Sequence, residues 1–339
     1  MKMRTVLTAA STLVLAIAAG TAHAGASFDA VKKKGFVQCG VNSGLAGFSV
    51  ADEKGVWKGI DVDICRAVAA AVFGDASKVK YTPLTAKERF TALQSGEIYV
   101  LSRNTTWTVT RDGGLGITFT GVTYYDGQGF LVKKKLGVKS ALKLNGATVC
   151  VQSGTTTELN LADYFGLHKM KFKPVVYDTA DETVKSFEAG RCDVLTSDQS
   201  QLYALRIKLA QPDSAIVLPE IISKEPLGPA VRQGDVEWFN IVRWSLFAMV
   251  NAEDLGVNSA NVDQMKDSKN PDVKRLLGAD VIKHGLGVPD DWAYKIVKQV
   301  GNYAEIFERN VGAESPLKIS RGQNALWSKG GLQYAPPIR

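Results

Sequence analysis

Histidine is nearly missing from this chain, with 3 in 339 residues. One of them, His23, falls in the leader described below, which leaves only His168 and His284. Two isolated imidazoles give little support to a metal centre or to histidine-based catalysis. Cysteine is scarce too, with four, and the spacing of Cys39, Cys65, Cys150 and Cys192 fits no zinc site. There is no G-x-S-x-G elbow and no phosphate loop with Lys-Ser or Lys-Thr, so neither of those enzyme chemistries is encoded. Beyond the first twenty or so residues no apolar run is long enough to cross a bilayer.

What the opening does contain is a leader. Lys2 and Arg4 precede an apolar run over 6–19, and Ala22-His23-Ala24 supplies the small-x-small pattern of a signal-peptidase site. Cleavage is expected after Ala24, and no cysteine sits there to carry a lipid. Losing Lys2 and Arg4 takes the net charge from +7 to +5. The remaining basic residues are scattered. The two short runs, Lys32-Lys33-Lys34 and Lys133-Lys134-Lys135, lack interleaved aromatics, so no nucleic-acid partner is expected. An exported chain permits disulfides. Of the three pairings that four cysteines allow, pairing inside each half is preferred: Cys39 with Cys65, and Cys150 with Cys192.

The most informative positive feature is an internal repeat. Residues 85–104 and 179–198 align without a gap at an offset of 94, with six identities: Thr85/Thr179, Ala86/Ala180, Glu88/Glu182, Gly96/Gly190, Val100/Val194 and Leu101/Leu195. Thr followed three residues later by Glu is a capping box, which starts a helix. A glycine about one helix later allows a left-handed stop. A short apolar strand follows and ends on Asn104 in one copy and Asp198 in the other. A helix–turn–strand unit used twice predicts two similar α/β lobes. In α/β sheets ligands sit beyond the carboxyl ends of the strands, so both ends are expected to face one shared cleft. The openings of the halves echo each other more weakly, with Asn42-Ser43-Gly44 and Gln152-Ser153-Gly154 each following a strand.

Between these landmarks an Ala-rich helix runs from about Ile60 to Gly74, with Ile64, Val68 and Val72 on its buried face. Asp61 and Asp63 at its start read as acids that complement the helix dipole and cap it, rather than as metal ligands. Residues 129–133 read as one extended crossing between halves, and 220–229 as the second. A strong helix over 236–255 is expected to return to the first half. Residues 292–310 are expected to add helix there, and 330–339 an irregular tail. The expected division is a leader at 1–24, a first lobe at 25–130 plus 226–339, and a second lobe at 131–225.

The chemistry-bearing residues cluster at the repeat ends. Arg111 closes the hydroxyl-rich turn Thr105-Thr106-Trp107-Thr108 and offers a planar fork for a carboxylate. Gly154-Thr155-Thr156 opens a helix whose free N–H groups favour an anion. Asp198 suits an ammonium. Together they describe a carboxylate site beside an amine site, the head shared by every α-amino acid.

With these residues in view, the chain resembles the periplasmic solute-binding proteins of the polar amino acid ABC-transporter family, family 3. The matching elements are Gly59-Ile60-Asp61-Val62-Asp63, Thr106-Trp107-Thr108 with Arg111, Gly154-Thr155-Thr156, Gly190-Arg191-Cys192-Asp193 leading to Asp198, and the return segment from Pro226 to Arg232. The Cys39 start, the run from Ser102 to Trp107 and the long C-terminal segment are more particular and are similar to the general L-amino acid branch. The resemblance implies the type II periplasmic-binding architecture, two α/β lobes joined by a two-segment hinge that close on a ligand. It implies that Arg111 clamps the α-carboxylate and that Thr106 and the Asn104 carbonyl hold the head. It further implies that Thr156 binds the carboxylate from the second lobe and that Asp198 pairs with the ammonium. Asn42, Leu45, Phe48 and Ala86 would line the side-chain pocket. It implies L-amino acids and an ABC permease as partners, a monomer, and neither cofactor nor metal.

Three departures from the family pattern bear on specificity. Leu45 stands where many relatives have an aromatic residue, Gly47 where they have Pro, and Ala86 where they have a bulky apolar residue. Small groups at Leu45 and Ala86 would leave room beyond the ligand's Cα, and with it broad specificity. Tyr99 replaces a usual Asp and is expected outside the pocket. The competing expectation is an exported enzyme on the same architecture, such as a cyclohexadienyl dehydratase, with Glu220 or Glu158 as general acid.

Overall fold

The computed structural model describes residues 26–280 and 284–339. The leader and its cleavage site lie outside the described residues. Two five-stranded sheets carry the fold. The first runs in the order Val79–Leu84, Val37–Asn42, Val100–Leu101, Ala230–Arg232, Ile117–Phe119. The second runs Phe172–Tyr177, Ala147–Gln152, Val194–Asp198, Gln128–Lys133, Ala215–Val217. Position by position the two are alike. Three parallel strands come first, and the fourth strand is antiparallel to the third. That fourth strand is in each case the segment arriving from the other half. The sheets are joined by an antiparallel pair, Tyr124–Asp126 with Glu225–Leu227.

The repeat folds as its local chemistry dictates. In the second copy Thr179 and Glu182 close a full capping box at the start of helix Ala180–Glu188. In the first copy the same two bonds form, Thr85 N–H to Glu88 Oε2 at 2.9 Å and Glu88 N–H to Thr85 Oγ1 at 3.3 Å, but regular helix begins only at Arg89. Both glycines adopt the left-handed conformation, Gly96 at φ 82° and Gly190 at φ 78°, which other residues reach only with strain.

Residues 129–133 do not cross between halves. They form most of Gln128–Lys133, an almost wholly buried strand of the second sheet. A strand buried on both faces shows a continuous apolar run with no alternation, which is why it read as a linker. The crossings are instead Tyr124–Asp126 and, as expected, the segment containing Glu225–Leu227.

Helix Val236–Asp254 packs against Ile60–Phe73 and Trp292–Gln299 beside the first sheet. Its N-cap Asp235 accepts from Trp238 N–H at 2.9 Å and from Ser27 N–H at 2.7 Å, tying the first described helix, Ala26–Lys34, to it. Fully buried Trp238 donates its indole N–H to the Tyr99 carbonyl at 2.8 Å. The Tyr99 ring lies against the cations of Lys34 and Arg232. Cys39 is bonded to Cys65 and Cys150 to Cys192, one bridge per half. Closing loops of 26 and 42 residues restricts the unfolded chain by about 3.5–4 kcal/mol each.

The C-terminal segment does more than decorate the first lobe. Helix Tyr303–Asn310 sends Arg309 and Asn310 to buried Asp63, at 2.8 and 2.7 Å. Further on, Asn324 bonds both the N–H and the carbonyl of Tyr125, at 2.7 and 3.0 Å, and so lies against the hinge strand. The last residues form no helix or strand beyond Lys329, yet Gln333 is buried against Tyr303 and Val122.

Candidate functional site

The carboxyl ends of the two repeat strands meet in one cleft. A narrow cavity of about 10 Å³ lies between them, lined from one half by Arg89, Arg103, Asn104 and Thr106, and from the other by Thr156, Asp198 and their neighbours. That volume is about that of a single water. Hydrogen bonds join the halves across it, from Asn104 to Gln201, from Arg89 to the Gly154 carbonyl and between the Thr106 and Thr156 hydroxyls, so a ligand larger than a water requires the halves to part. A larger cavity of about 740 Å³ lies behind the hinge, between Tyr125 and the C-terminal segment, away from the strand ends.

Asn104 sits just past its strand at φ 33°, a left-handed conformation that Asn tolerates better than most residues. It is held there by Asp61, whose carboxylate accepts from Asn104 N–H at 2.8 Å and Ser102 Oγ at 3.2 Å. Asp61 thus braces the site and does not cap its helix, just as Asp63 serves Arg309. Burial pushes the Asp61 carboxyl up to about 6, against those hydrogen bonds and the nearby Arg103. The Asn104 side chain accepts from Asn42 Nδ2 at 3.0 Å and donates across the cleft to Gln201 at 3.3 Å.

Arg111 is nine-tenths buried on the short helix Val109–Gly114, whose cap Thr108 accepts from Arg111 N–H. Its guanidinium donates to the Thr106 carbonyl at 2.8 Å and lies over the Phe90 ring. Burial draws its pKa down, while Glu225 and Asp198 favour its charge.

Glu225 was not singled out from sequence, and it organises the site. It is almost completely buried on the return crossing. It accepts from Thr106 Oγ1 at 2.6 Å, Thr156 Oγ1 at 2.7 Å, Asn160 Nδ2 at 2.7 Å and Ser223 Oγ at 2.6 Å. These donors come from both halves and the hinge, so one carboxylate ties all three together. Each hydroxyl has a single proton. Thr106 and Thr156 commit theirs to Glu225, which leaves their lone pairs for a donor such as an ammonium. An anion at Thr156 must then rely on the backbone N–H groups of its helix start rather than on the hydroxyl. Glu225→Gln puts an N–H₂ against two donors and removes charge-assisted bonds. We expect a loss of about 1–3 kcal/mol in unfolding free energy, measured by urea denaturation, with a parallel loss of closure.

Asp198 ends its strand, is 5 % exposed, and makes no cap bond to the following helix Gln199–Arg206. Burial raises its carboxyl well above the ordinary value, and the nearby anions Asp126 and Glu225 add to the rise, against Arg89 and Arg111. Asp126 is itself pushed up to about 6 by burial, although Ser200 and Gly127 donate to it.

The structure brings together Asn42, Asn104, Thr106, Arg111, Thr156 and Asp198. It places Leu45 and Phe48 elsewhere, in an apolar cluster with Tyr124, Phe307 and Val311. A Cβ on Gly47, which has φ 82°, would lie 2.7 Å from Leu317 and 2.8 Å from Val311. The room expected at Leu45 is thus taken, like the space beside Gly47, by the C-terminal segment and not left for a ligand. Ala86 borders Gly154 across the cleft, and one turn beyond it Arg89 fills the space. Neither proposed general acid lines the cavity. Glu158 accepts from Gly154 N–H in its own loop. Burial acts to raise the Glu220 carboxyl, but bonds from Ser140 and Ala141 outweigh it and leave it below the usual range.

A paired architecture with this hinge, an arginine on the short helix past one strand and an aspartate at the end of the other can be compared with known proteins. Residues 37–256 match the profile of the bacterial extracellular solute-binding proteins, family 3. The chain belongs to that family. Among its family-3 relatives, a putative amino-acid ABC transporter-binding protein, YhdW, of Escherichia coli K12 is 65% identical over all of both chains. The general L-amino acid-binding periplasmic protein AapJ of Rhizobium johnstonii is 62% identical, also over all of both chains. A solved periplasmic binding protein from Brucella ovis, with glutathione bound, is 59% identical at TM-score 0.91, covering 94% of this chain and 100% of that one. These family-3 matches extend past residue 256, so the C-terminal segment that straps the hinge is shared with them and is not an addition of this chain alone.

Proposed function

We propose that this protein is an exported receptor that captures L-amino acids between its lobes and delivers them to an ABC import permease, without chemistry of its own. What supports this reading is that Arg111 of the first half and Asp198 of the second lie close enough to feel each other's charge, Arg111 being bonded to the Thr106 carbonyl and Asp198 lining the same cleft as Thr106. An α-amino acid presents one carboxylate and one ammonium a few ångströms apart, and burial of either without a partner costs several kcal/mol. In this reading Arg111 and the helix start at Thr156 take the carboxylate. Asp198, the Asn104 carbonyl and the Thr106 lone pairs take the ammonium. Because these groups address only the shared head, the reading includes more than one side chain, in line with the name of the AapJ relative. Export to the periplasm after cleavage at Ala24, and action as a monomer, belong to the same proposal.

A thermal-shift screen of the mature protein against the twenty amino acids tests it. Several L-amino acids should raise the melting temperature while their D-forms do not, since a bound ligand stabilises the folded state by mass action. No shift with any of them would sink the reading. Glutathione belongs in the screen, because its γ-glutamyl end carries the same α-amino and α-carboxylate groups and it is bound in the Brucella ovis relative. Turnover of prephenate or arogenate would favour the dehydratase reading instead.

A further inference from the structure

We propose that the edge of the second sheet remote from the cleft is a membrane-docking surface, which seats the protein on anionic phospholipid headgroups. The register of the sheet builds this edge. Strand Gln128–Lys133 ends there and its antiparallel partner Val194–Asp198 begins there, with Val194 beside Val132. Ala147–Gln152 and Phe172–Tyr177 begin there as well, with Phe172 beside Ala147. The connections that enter those two strands turn at this edge. Residues 133–147 hold five lysines and residues 167–173 hold three, and neither stretch contains an aspartate or a glutamate. All but Lys133 are exposed. The cleft lies at the other ends of the same strands, about 20 Å away along a strand of six residues, so contact here leaves it free.

Cations gathered at one edge repel one another and attract an anionic surface. Compensation within the protein is missing. Among the described residues none of these lysines pairs with a carboxylate. The acids that share the edge are already bonded. Asp193 accepts from the Thr148 N–H and hydroxyl, Glu188 from Ala210 N–H, and Glu220 from Ser140 and Ala141. The matching edge of the first sheet shows the contrast. Helix Ala26–Lys34 leads straight into it, and its lysines lie over aromatic rings: Lys32 over Phe28, Lys34 over Tyr99 and Lys80 over Phe36. At the second edge only Lys133 lies over a ring, that of Phe187.

The composition of the edge favours a lipid surface over an acidic protein. Protein interfaces are enriched in arginine and aromatics and depleted of lysine, whereas these two stretches have lysine, no arginine and no tryptophan or tyrosine. Three leucines stand exposed among the charges, Leu136 at 43%, Leu142 at 52% and Leu167 at 79%. Lysines beside exposed apolar side chains suit the boundary between headgroups and acyl chains. Lys133, Lys134 and Lys135 also border a cavity of about 520 Å³ whose lining includes Phe187 and Leu209, an apolar recess at the same edge. Each lysine held near an anionic leaflet strengthens binding about fivefold at moderate ionic strength. The surface goes beyond the receptor reading and uses only its export and its membrane permease: a receptor held on the bilayer searches for that permease in two dimensions.

Vesicle flotation with the mature protein at low ionic strength tests the surface. Vesicles of phosphatidylethanolamine with phosphatidylglycerol should bind it at least about tenfold more tightly than vesicles of phosphatidylcholine alone, and high salt should remove most of the difference. Lys134→Glu together with Lys135→Glu should weaken binding to the anionic vesicles at least about tenfold. Lys33→Glu together with Lys54→Glu makes the same change in net charge on the first half and should alter binding by less than about threefold. All four side chains are exposed, so both variants should keep the wild-type melting temperature. Equal binding to the two kinds of vesicle, or equal losses in the two variants, would overturn the assignment. Binding to neither vesicle overturns it as well and points to an acidic protein partner. The thermal-shift screen with amino acids reads the receptor function separately. A protein that binds amino acids but no vesicle overturns this inference alone, and one that binds anionic vesicles but no amino acid overturns the receptor reading and leaves the surface standing.

Discussion

Asp198→Asn is expected to abolish amino-acid binding and, in the same protein, to stabilise the empty form. The carboxylate is buried at the end of its strand, and among the described residues no donor bonds it. Its nearest charged neighbours include two anions, Asp126 and Glu225. Holding such a charge is unfavourable until an ammonium arrives. Asparagine keeps the shape and removes the charge, so the ligand-free protein should gain about 1–2 kcal/mol, as found where function conflicts with stability. The ligand's ammonium then loses its counter-charge in a closed site, which costs about 2–5 kcal/mol and weakens binding roughly 30- to several-thousand-fold.

The pH dependence follows from the same raised pKa. The folded, empty protein keeps a proton on Asp198 at a pH where the unfolded chain has released it. This contribution therefore favours the folded state at low pH and is lost as pH rises through the raised folded value. Binding has the opposite sense. An ammonium needs the ionised carboxylate, so affinity should fall as pH drops below that raised value, and binding near it should release a proton. Calorimetry in two buffers of different ionisation heat reads the proton directly. The Asn variant should show neither effect, apart from the residual titration of Asp126 and Asp61. A variant that binds normally, or a wild type that releases no proton on binding at any pH above the ordinary carboxylate range, would remove Asp198 from the site.

Arg111→Ala should cost about 2–5 kcal/mol of affinity, because the α-carboxylate would be buried without its charge partner. The loss should be nearly uniform across ligands, since all share that carboxylate. Arg111→Lys should recover only part, because an ammonium cannot reproduce the planar fork. The fold should suffer little, as Arg111 contributes one bond to the Thr106 carbonyl and a stack on Phe90. Unchanged calorimetric affinity in the alanine variant would contradict the clamp.

Much of the architecture was legible because its signals are local. A capping box, a left-handed glycine and a short apolar strand each need only a few residues, so the repeat and its two strand ends could be read directly. The two disulfides followed from the halves that the repeat defined. What stayed hidden depends on contacts across the chain. Glu225 gains its importance from Thr106 and Thr156, 119 and 69 residues away, which only the hinge brings together. Asp61 was read as a helix cap, but its partner Asn104 lies 43 residues on, beyond any local pattern. The space expected at Leu45 is filled by Val311 and Leu317, from a segment whose packing no short motif announces.

The most direct test is a crystal structure of the mature protein with L-glutamate bound. The account predicts the amino acid enclosed between the strand ends, its α-carboxylate on the Arg111 guanidinium and the Thr156 N–H, and its ammonium on Asp198. A ligand seated in the larger cavity behind the hinge, or an Arg111 guanidinium turned to solvent in the loaded state, would contradict it.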